Sequence, residues 1–558
     1  MSKGTITTEK VPQEYQLLGG RNLTSRITYD EVPATCEPLG PYNKLIMCPG
    51  LLGGSPMSSS SRLSIGGKSP LTGGIKESNS GGTSAFHLAR MGIKAVIVEG
   101  QCKQEQPLYL YLSKDKVELR PADAKYKGVY HSAQLFQLRY GNKVSVINIG
   151  PAGDREFLSA GIATTDPEGR PSRFCARGGL GAVMGSKGLK GVIIDPEGAP
   201  GLSYNDEKAF KDKTKELIKL LRESPATGEG YPKYGTPAMA ARTNALNGLP
   251  TRNFTQGTFE CVEYLHGEFM YDLIQKRNGE GTPTHSCMPG CMIRCSSVYP
   301  DASGKELVSP LEYETIGLMG SNCGIGNLED IAQLNYICND LGVDTIEIGA
   351  ALGIAMEMGV IPFGDAHAAE NLLEEIRNNT VLGKVLAQGC LITGKVLGCK
   401  RIPTVKGQAM AAYEPRAIKG FGVTYATTPM GADHTAGSTI RAQVSHTDPK
   451  PQPEASRKAQ LVSGIADFTG MCMFSLPVLG AQLEDLAKLV NFRYGKDLNA
   501  DSLLEMSAEM IRTERAFNRK AGIGSAYDQL PEYMTDEPLP GINEVFDVNK
   551  EEMKKLHD

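Results

Sequence analysis

Three cysteines recur at four-residue spacing, Cys287, Cys291 and Cys295, within His285-Ser-Cys-Met-Pro-Gly-Cys-Met-Ile-Arg-Cys295, and a further thiol stands far downstream at Cys472. Four thiolates that converge in space are the ligand set of a [4Fe–4S] cluster, so the pattern points to a chain that moves electrons. Core packing competes with this reading, because free cysteine is among the most buried residue types. A loop interrupted by Pro289 and Gly290 is nonetheless a poor core segment. Zinc is the rival metal, but its sites pair two closely spaced ligand couples, and here the second half is one cysteine.

Two glycine-rich runs suggest a second kind of chemistry. Ser58-Ser-Ser-Ser-Arg62 leads through Lys68-Ser-Pro-Leu-Thr72 to Asn79-Ser-Gly-Gly82, and Arg173-Phe-Cys-Ala-Arg177-Gly-Gly-Leu-Gly-Ala-Val-Met-Gly-Ser-Lys187 follows. Glycines that expose successive backbone N–H groups beside arginines are suited to phosphate or another multiply charged anion. Gly179-Leu-Gly181 matches a dinucleotide fingerprint only loosely, with no acidic residue about twenty positions on, and no Gly-x-x-x-x-Gly-Lys-Ser/Thr loop occurs. Taken alone, both runs also read as surface turns.

The elements that must position these residues follow from composition and periodicity. At 558 residues the chain holds three or four ordinary domains. Its 64 glycines exceed the usual ~7% and crowd the first third. There, short runs such as Ile93–Val98, Leu108–Leu112, Val144–Ile149 and Gly191–Asp195 predict strands. Beyond Pro200 the pattern becomes helical, at Lys208–Arg222, Ala366–Asn378, Lys384–Leu397, Ser456–Asp467, Ala481–Phe492 and Ser502–Arg519. Asn327 is a suitable N-cap for a helix carrying Ile331, Leu334, Cys338 and Leu341 on one face, and Gly342 is placed to stop it. A long-range echo links Asn339-Asp-Leu-Gly342-Val-Asp344 with Asp467-Phe-Thr-Gly470-Met-Cys472. In each, the glycine is expected to be the left-handed residue that ends a helix.

A net charge of -4 leaves no electrostatic footprint for nucleic acid or an anionic membrane. No stretch reaches 18 uninterrupted apolar residues; Ile348–Phe363 is broken by Glu357 and Pro362. The opening residues lack the apolar core of a signal peptide, and thirteen irregularly spaced cysteines fit reduced thiols rather than a disulfide framework. A cytoplasmic protein without a membrane span is expected.

Together, Lys68-Ser-Pro-Leu-Thr-Gly73, Asn79-Ser-Gly-Gly82, Ala176-Arg-Gly-Gly-Leu-Gly-Ala-Val-Met-Gly-Ser-Lys187, Gly290-Cys-Met-Ile-Arg-Cys295, Glu312-Tyr-Glu314, Leu341-Gly-Val-Asp344, Gly431-Ala-Asp-His434 and Asp467-x-x-Gly-x-Cys472 resemble the aldehyde:ferredoxin oxidoreductase family of tungstopterin enzymes. The resemblance runs in order from about residue 12 to about residue 530. It implies an α+β protein: a β-rich two-sheet base domain (1–199), then two mainly helical domains (200–402 and 403–558), with the cofactor buried between them. It also implies two pterin dithiolenes on one tungsten, or molybdenum. Arg62, Asn79, Gly81, Ala176, Arg177, Gly178 and Gly179 would hold pterin and phosphate, with a Mg²⁺ near Asn79 and the Ala176 carbonyl. Asp344 and Asp467 would accept hydrogen bonds from the pterins, and Cys287, Cys291, Cys295 and Cys472 would hold the cluster.

The resemblance points to Glu314 as the base of aldehyde oxidation, with His434 hydrogen-bonding the substrate oxygen or a metal-bound oxygen and Tyr313 and Tyr413 as further candidates for orienting substrate. Glu312 or Glu314 could instead cap the helix after Pro310. A ferredoxin or iron–sulfur subunit would take the electrons, in a homo-oligomer or hetero-complex. Four departures stand out: the first cysteine gap is three residues rather than two, Asn339 replaces an aspartate, Ala436 replaces a lysine, and the amino terminus is short of an opening strand, which would leave a sheet edge bare. Two other readings are open: a tungstopterin subunit of another low-potential reductase, such as an aromatic acyl-CoA reductase, and a non-catalytic iron–sulfur electron-transfer module. The two anion sites argue against the second, and a radical-forming cluster enzyme would need an iron that Cys472 closes.

Overall fold

Short apolar runs bounded by glycine and proline become the strands of two sheets in the computed structural model, which describes residues 1–102 and 105–557. The first sheet contains β1 (Leu45–Pro49), β2 (Leu63–Lys68), β3 (Ile75–Ser80) and β4 (Val96–Val98) in the order β3-β2-β1-β4, with every pairing antiparallel. The second contains β5 (Leu108–Leu112), β6 (Val117–Pro121), β7 (Ser145–Asn148), β8 (Ile162–Thr164), β9 (Arg173–Cys175) and β10 (Leu189–Ile194) in the order β6-β5-β10-β7-β8-β9. Leu45, Met47, Leu63 and Ile65 of one sheet share a core with Leu110, Leu112, Ile147, Val192 and Ile194 of the other. This is the expected two-sheet base. Only the second half of the run expected as a strand over 93–98 pairs with β1.

Two compact units divide the chain. The first joins Met1–Gly230, Ser286–Arg294 and Leu461–Gly522; the second joins Tyr231–His285, Cys295–Gln460 and Ile523–Asp558. Within the first unit, the helix Gly20–Glu31 lies so close on β2 that a side chain at Gly66 would meet the Thr24 Cβ at 2.5 Å. The helices Glu207–Glu223, Leu483–Tyr494 and Ala500–Lys520 bury Phe210, Leu217, Leu221, Leu486, Leu489, Val490 and Leu503 against Leu51, Leu52 and Phe468.

The second unit is mainly helical. Asn327 caps the helix Leu328–Leu341 by accepting from the Glu329 N–H at 2.8 Å, and Gly342 ends it at φ +75°, both as the sequence predicts. The helix expected over 384–397 is two helices, Val381–Ala387 and Cys390–Leu397, parted at Gly389 with φ +88°. A three-stranded sheet of β11 (Thr282–His285), β12 (Ser296–Pro300) and β13 (Glu306–Val308) is an addition to the helical pattern; its first two strands flank the cysteine loop. A two-residue pair, β14 (Thr404–Val405) and β15 (Gln408–Ala409), completes the strands among the described residues. No helix among those residues is long and apolar enough to cross a membrane.

Candidate active site

In the first unit the cysteine loop is fixed by backbone bonds. The Gly82 N–H donates to the Cys287 carbonyl at 2.7 Å, and a side chain at Gly81 would come within 3.0 Å of the Cys287 Sγ. Close approach is the reason glycine stands there. Ser58 Oγ accepts from the Met292 N–H at 3.0 Å, and Ser59 Oγ lies 3.3 Å from the Cys291 Sγ. Cys472 comes to the same serine run, its N–H donating to the Ser59 carbonyl at 2.8 Å. The turn that delivers it uses Gly470 at φ +83°, the left-handed residue expected from the echo with Gly342. A hydrogen bond with Cys287 pulls the Cys291 thiol down to about 6, whereas burial pushes Cys472 up against the opposing pull of Arg62. All thirteen cysteines are thiols rather than disulfides. Cys295 lies in the second unit, where its backbone pairs with His285.

Arg62 joins the thiols to the anion-binding residues. Its Nε donates to the Asn79 Oδ1, a second nitrogen donates to the Asn79 carbonyl at 2.9 Å, and a third lies 3.9 Å from the Cys472 Sγ. The Asn79 amide donates to Asp467 at 3.2 Å. Asp467 also accepts from Arg21 at 3.1 Å, while Arg21 grips Glu514 through two nitrogens at 2.9 and 2.7 Å. Nearby, Gly178 and Gly179 are both left-handed, at φ +82° and +73°. Side chains there would strike Lys76 at 2.5 Å and the Leu158 carbonyl at 2.7 Å. The Arg177 N–H donates to Ser78 Oγ on β3, which brings the Ala176–Gly179 turn alongside Asn79.

In the second unit Glu314 stands in the one-turn helix Tyr313–Thr315, which widens into a π turn over Ile316–Gly320, a distortion often found at functional sites. Its Oε2 accepts from the Ala412 N–H at 2.8 Å, and its Oε1 lies 3.3 Å from the His434 Nε2. The Tyr313 hydroxyl donates to the Ala412 carbonyl and lies 2.9 Å from Thr243 Oγ1. Tyr413 packs against Tyr313 with ring centroids 5.3 Å apart, stacks on Phe421 at 4.1 Å and meets the His434 ring at 5.9 Å. Burial first, and the Glu314 carboxylate second, drive both tyrosines well above their ordinary range. His434 Nδ1 is buried and has no hydrogen-bond partner among the described residues. Neither glutamate caps the helix: Glu312 occupies the N-cap position, but its carboxylate accepts from Thr236 Oγ1. Asp344 caps the helix Thr345–Glu357, accepting from the Ile346 N–H at 3.0 Å.

The structure therefore gathers Arg62, Asn79, Gly81, Asp467, Cys287, Cys291 and Cys472 in one unit, and Glu314, His434, Tyr313 and Tyr413 in the other. Sequence reasoning missed Arg21, Glu514, Ser58, Ser59 and Ala412. Arg21 and Glu514 are 493 residues apart, and no spacing rule spans that distance. The Ser58–Ser61 run reads from the sequence as part of an anion-binding run or as a turn, and nothing in it announces contact with cysteines.

Comparison with known proteins agrees with this arrangement. The family models described as "Aldehyde ferredoxin oxidoreductase, N-terminal domain" and "Aldehyde ferredoxin oxidoreductase, domains 2 & 3" match residues 1–196 and 212–557. The tungsten-containing aldehyde ferredoxin oxidoreductase of Thermococcus kodakarensis is 33% identical over 99% of this chain and 93% of its own length; that of Pyrococcus furiosus is 32% identical with the same coverage. The WOR-like subunit of an aliphatic sulfonate oxidoreductase from Pyrococcus furiosus is 28% identical over 89% of this chain and 81% of its own. Among solved structures, the active-site complex BamBC of benzoyl coenzyme A reductase with 1,5-dienoyl-CoA superposes with a TM-score of 0.82 at 20% identity, covering 100% of this chain and 91% of that one, which shows a shared fold. The chain belongs to the aldehyde ferredoxin oxidoreductase family of oxidoreductases.

Proposed function

We propose that this chain oxidises an aldehyde to a carboxylic acid in the cytoplasm and passes the electrons to a ferredoxin or an iron–sulfur subunit. The balance is one aldehyde and one water giving one acid, two electrons and two protons. The observation that carries the reading is the Glu314 carboxylate, held by the Ala412 N–H on one oxygen and set 3.3 Å from His434 on the other. A carboxylate anchored beside an imidazole can take a proton from water as its oxygen adds to the carbonyl carbon. His434, whose buried Nδ1 has no partner among the described residues, would polarise the substrate oxygen. Tyr413, ring to ring with His434, would orient the substrate, and Tyr313 ties Glu314's segment to the Ala412 carbonyl.

The residues present fit the cofactors of the family. Two pterins on tungsten, or molybdenum, would supply the acceptor for the electron pair. Arg62, Asn79, Gly81, Ala176, Arg177, Gly178, Gly179, Asp344 and Asp467 would hold them. The fit rests on two consecutive left-handed glycines with close neighbours, on buried Arg177 in the same turn, and on half-buried Arg62, which reaches the Asp467 carboxylate through Asn79. A Mg²⁺ would sit at Asn79 and the Ala176 carbonyl; each Asn79 oxygen keeps a lone pair beyond the one given to Arg62. A [4Fe–4S] cluster would be held by Cys287, Cys291, Cys472 and Cys295, the first three converging on Ser59 and Arg62.

Aldehyde-dependent reduction of a viologen dye by protein purified without oxygen, with tungsten, molybdenum and iron measured on the same sample, tests this. Turnover with one tungsten or molybdenum and four irons per chain is expected, and iron alone would sink the enzyme reading. The second reading, a reductase subunit, is favoured by the full-length fold match. It predicts no aldehyde turnover by the isolated chain and activity only with partner subunits.

A further inference from the structure

We propose that Glu347 is a positioning residue that sets the proton affinity of Glu314 through a strap of backbone, Ala409–Tyr413. Glu347 lies on the helix Thr345–Glu357 and is fully buried, at 0% exposure. Its two carboxylate oxygens are shared between two distant backbone donors: the Cys390 N–H at 2.9 Å and the Ala409 N–H at 3.0 Å. Cys390 opens the helix Cys390–Leu397, whose positive end favours a carboxylate there. Gly389, at φ +88°, leaves room for it, since a side chain would meet the Glu347 Oε1 at 2.7 Å. Three residues beyond the anchored Ala409, the Ala412 N–H donates to Glu314 and the Ala412 carbonyl accepts from Tyr313. The same first turn of the helix also braces the base's own segment, where Thr345 Oγ1 lies 2.9 Å from the hydroxyl of Thr315, the residue after Glu314.

An N–H aimed at a carboxylate stabilises its ionised form and so lowers its proton affinity. Glu347 holds the strap at Ala409, and the strap holds Glu314 at Ala412, so a shift of the first is carried to the second. Replacing one of its oxygens with an amide NH₂ sets a donor against a backbone donor, and the strap must shift away from it. Among the described residues, the titratable groups facing Glu314 include His434 at 3.3 Å and the tyrosines Tyr313 and Tyr413. Their protons are followed in the same titration.

The inference rests on Glu314 being the base, and the test separates the two. Infrared difference titration of the as-purified protein, with E314Q subtracted, gives the midpoint of Glu314 without turnover. E347Q should raise that midpoint by about one unit, a tenfold change in proton affinity. A412P, which removes the donor to Glu314, should raise it at least as much, and the double variant should go no further than A412P alone. The acid limb of kcat should move by the same amount, with KM unchanged. An unmoved midpoint in E347Q beside a shifted one in A412P would overturn the inference. Should E347Q fail to fold, A409P removes one of Glu347's two donors and carries the same expectation, and an unmoved midpoint there overturns it equally. If E314Q keeps full turnover, the base assignment itself fails, whatever the midpoints show.

Discussion

In the first unit, Arg21 meets Glu514 through two nitrogens and Asp467 through a third, and Arg62 spends its guanidinium on both oxygens of Asn79 and on Cys472. In the second unit, His434 keeps Nδ1 buried without a partner among the described residues, and Glu314 accepts from the Ala412 N–H on one oxygen with His434 Nε2 3.3 Å from the other. Buried charges saturated with partners are rigid and define one geometry, which suits the holding of a fixed anionic group. A buried polar atom left without a protein partner costs folding energy, a kind of strain that collects at functional sites. Substitutions in the first unit should therefore be read in stability and metal content, and substitutions in the second in rate.

The largest effect is expected at Cys472, whose N–H and thiol are fixed by Ser59 and Arg62. C472S should lose or alter the iron–sulfur cluster, with iron falling below four per chain. An unchanged electron paramagnetic resonance signal would remove Cys472 from the ligand set. E314Q should next lower turnover by about 10²–10⁴ while leaving metal content and thermal midpoint near those of the parent. Glu312 supplies the control, since its carboxylate accepts from Thr236 and not from Ala412. Abolished activity in E312Q with retained activity in E314Q would place the base two residues earlier.

Arg21 offers the opposite signature. It is 3% exposed and Glu514 0%, and Arg21→Met leaves that carboxylate buried without its partner, a loss of about 3–5 kcal/mol by the usual cost of breaking a buried pair. Urea unfolding would report it. A stable variant with altered turnover would show that the network serves chemistry rather than architecture. H434A should cost about 10²–10³ in turnover, the ordinary worth of one donor to a developing oxyanion, again without loss of stability. A large drop in thermal midpoint would reverse its assignment and place His434 with the holding groups.

How much of this was legible depended on range. The cap at Asn327, the stop at Gly342 and the left-handed Gly470 lie within a few residues of what they do, so spacing alone exposed them. The two-sheet base showed in runs such as Leu108–Leu112, which pairs over its whole length with β6. The break at Gly389 was hidden because the apolar period continues on both sides; at the break the Cys390 N–H donates to the carboxylate of Glu347, 43 positions away in the chain. The β11–β13 sheet was hidden because its strands are short and interrupted by the cysteine loop. Among the site residues, the cysteines and Glu314 carry chemistry in their own side chains, whereas Ala412 acts only through its peptide group, and an alanine gives the reader of a sequence nothing to see.

The smallest effect belongs to His87 and shows the first unit responding to pH through folding alone. His87 lies on the helix Ser84–Arg90 with its Nδ1 2.7 Å from Ser145 Oγ. Burial first, and Arg90 second, hold its imidazole down to about 4, from 6.5 when exposed. Between those values the unfolded chain binds a proton that the folded chain refuses, so stability rises with pH across the window and falls as the medium is acidified. By pH ~4.5 the loss relative to neutrality is about 2 kcal/mol. H87Q should remove that part of the acid sensitivity, so the gap in unfolding free energy between parent and variant should shift in the variant's favour as pH falls from ~7 to ~4.5. A gap that stays constant across that range would mean His87 titrates alike in both states, and the acid lability of the first unit would then have to come from its carboxylates.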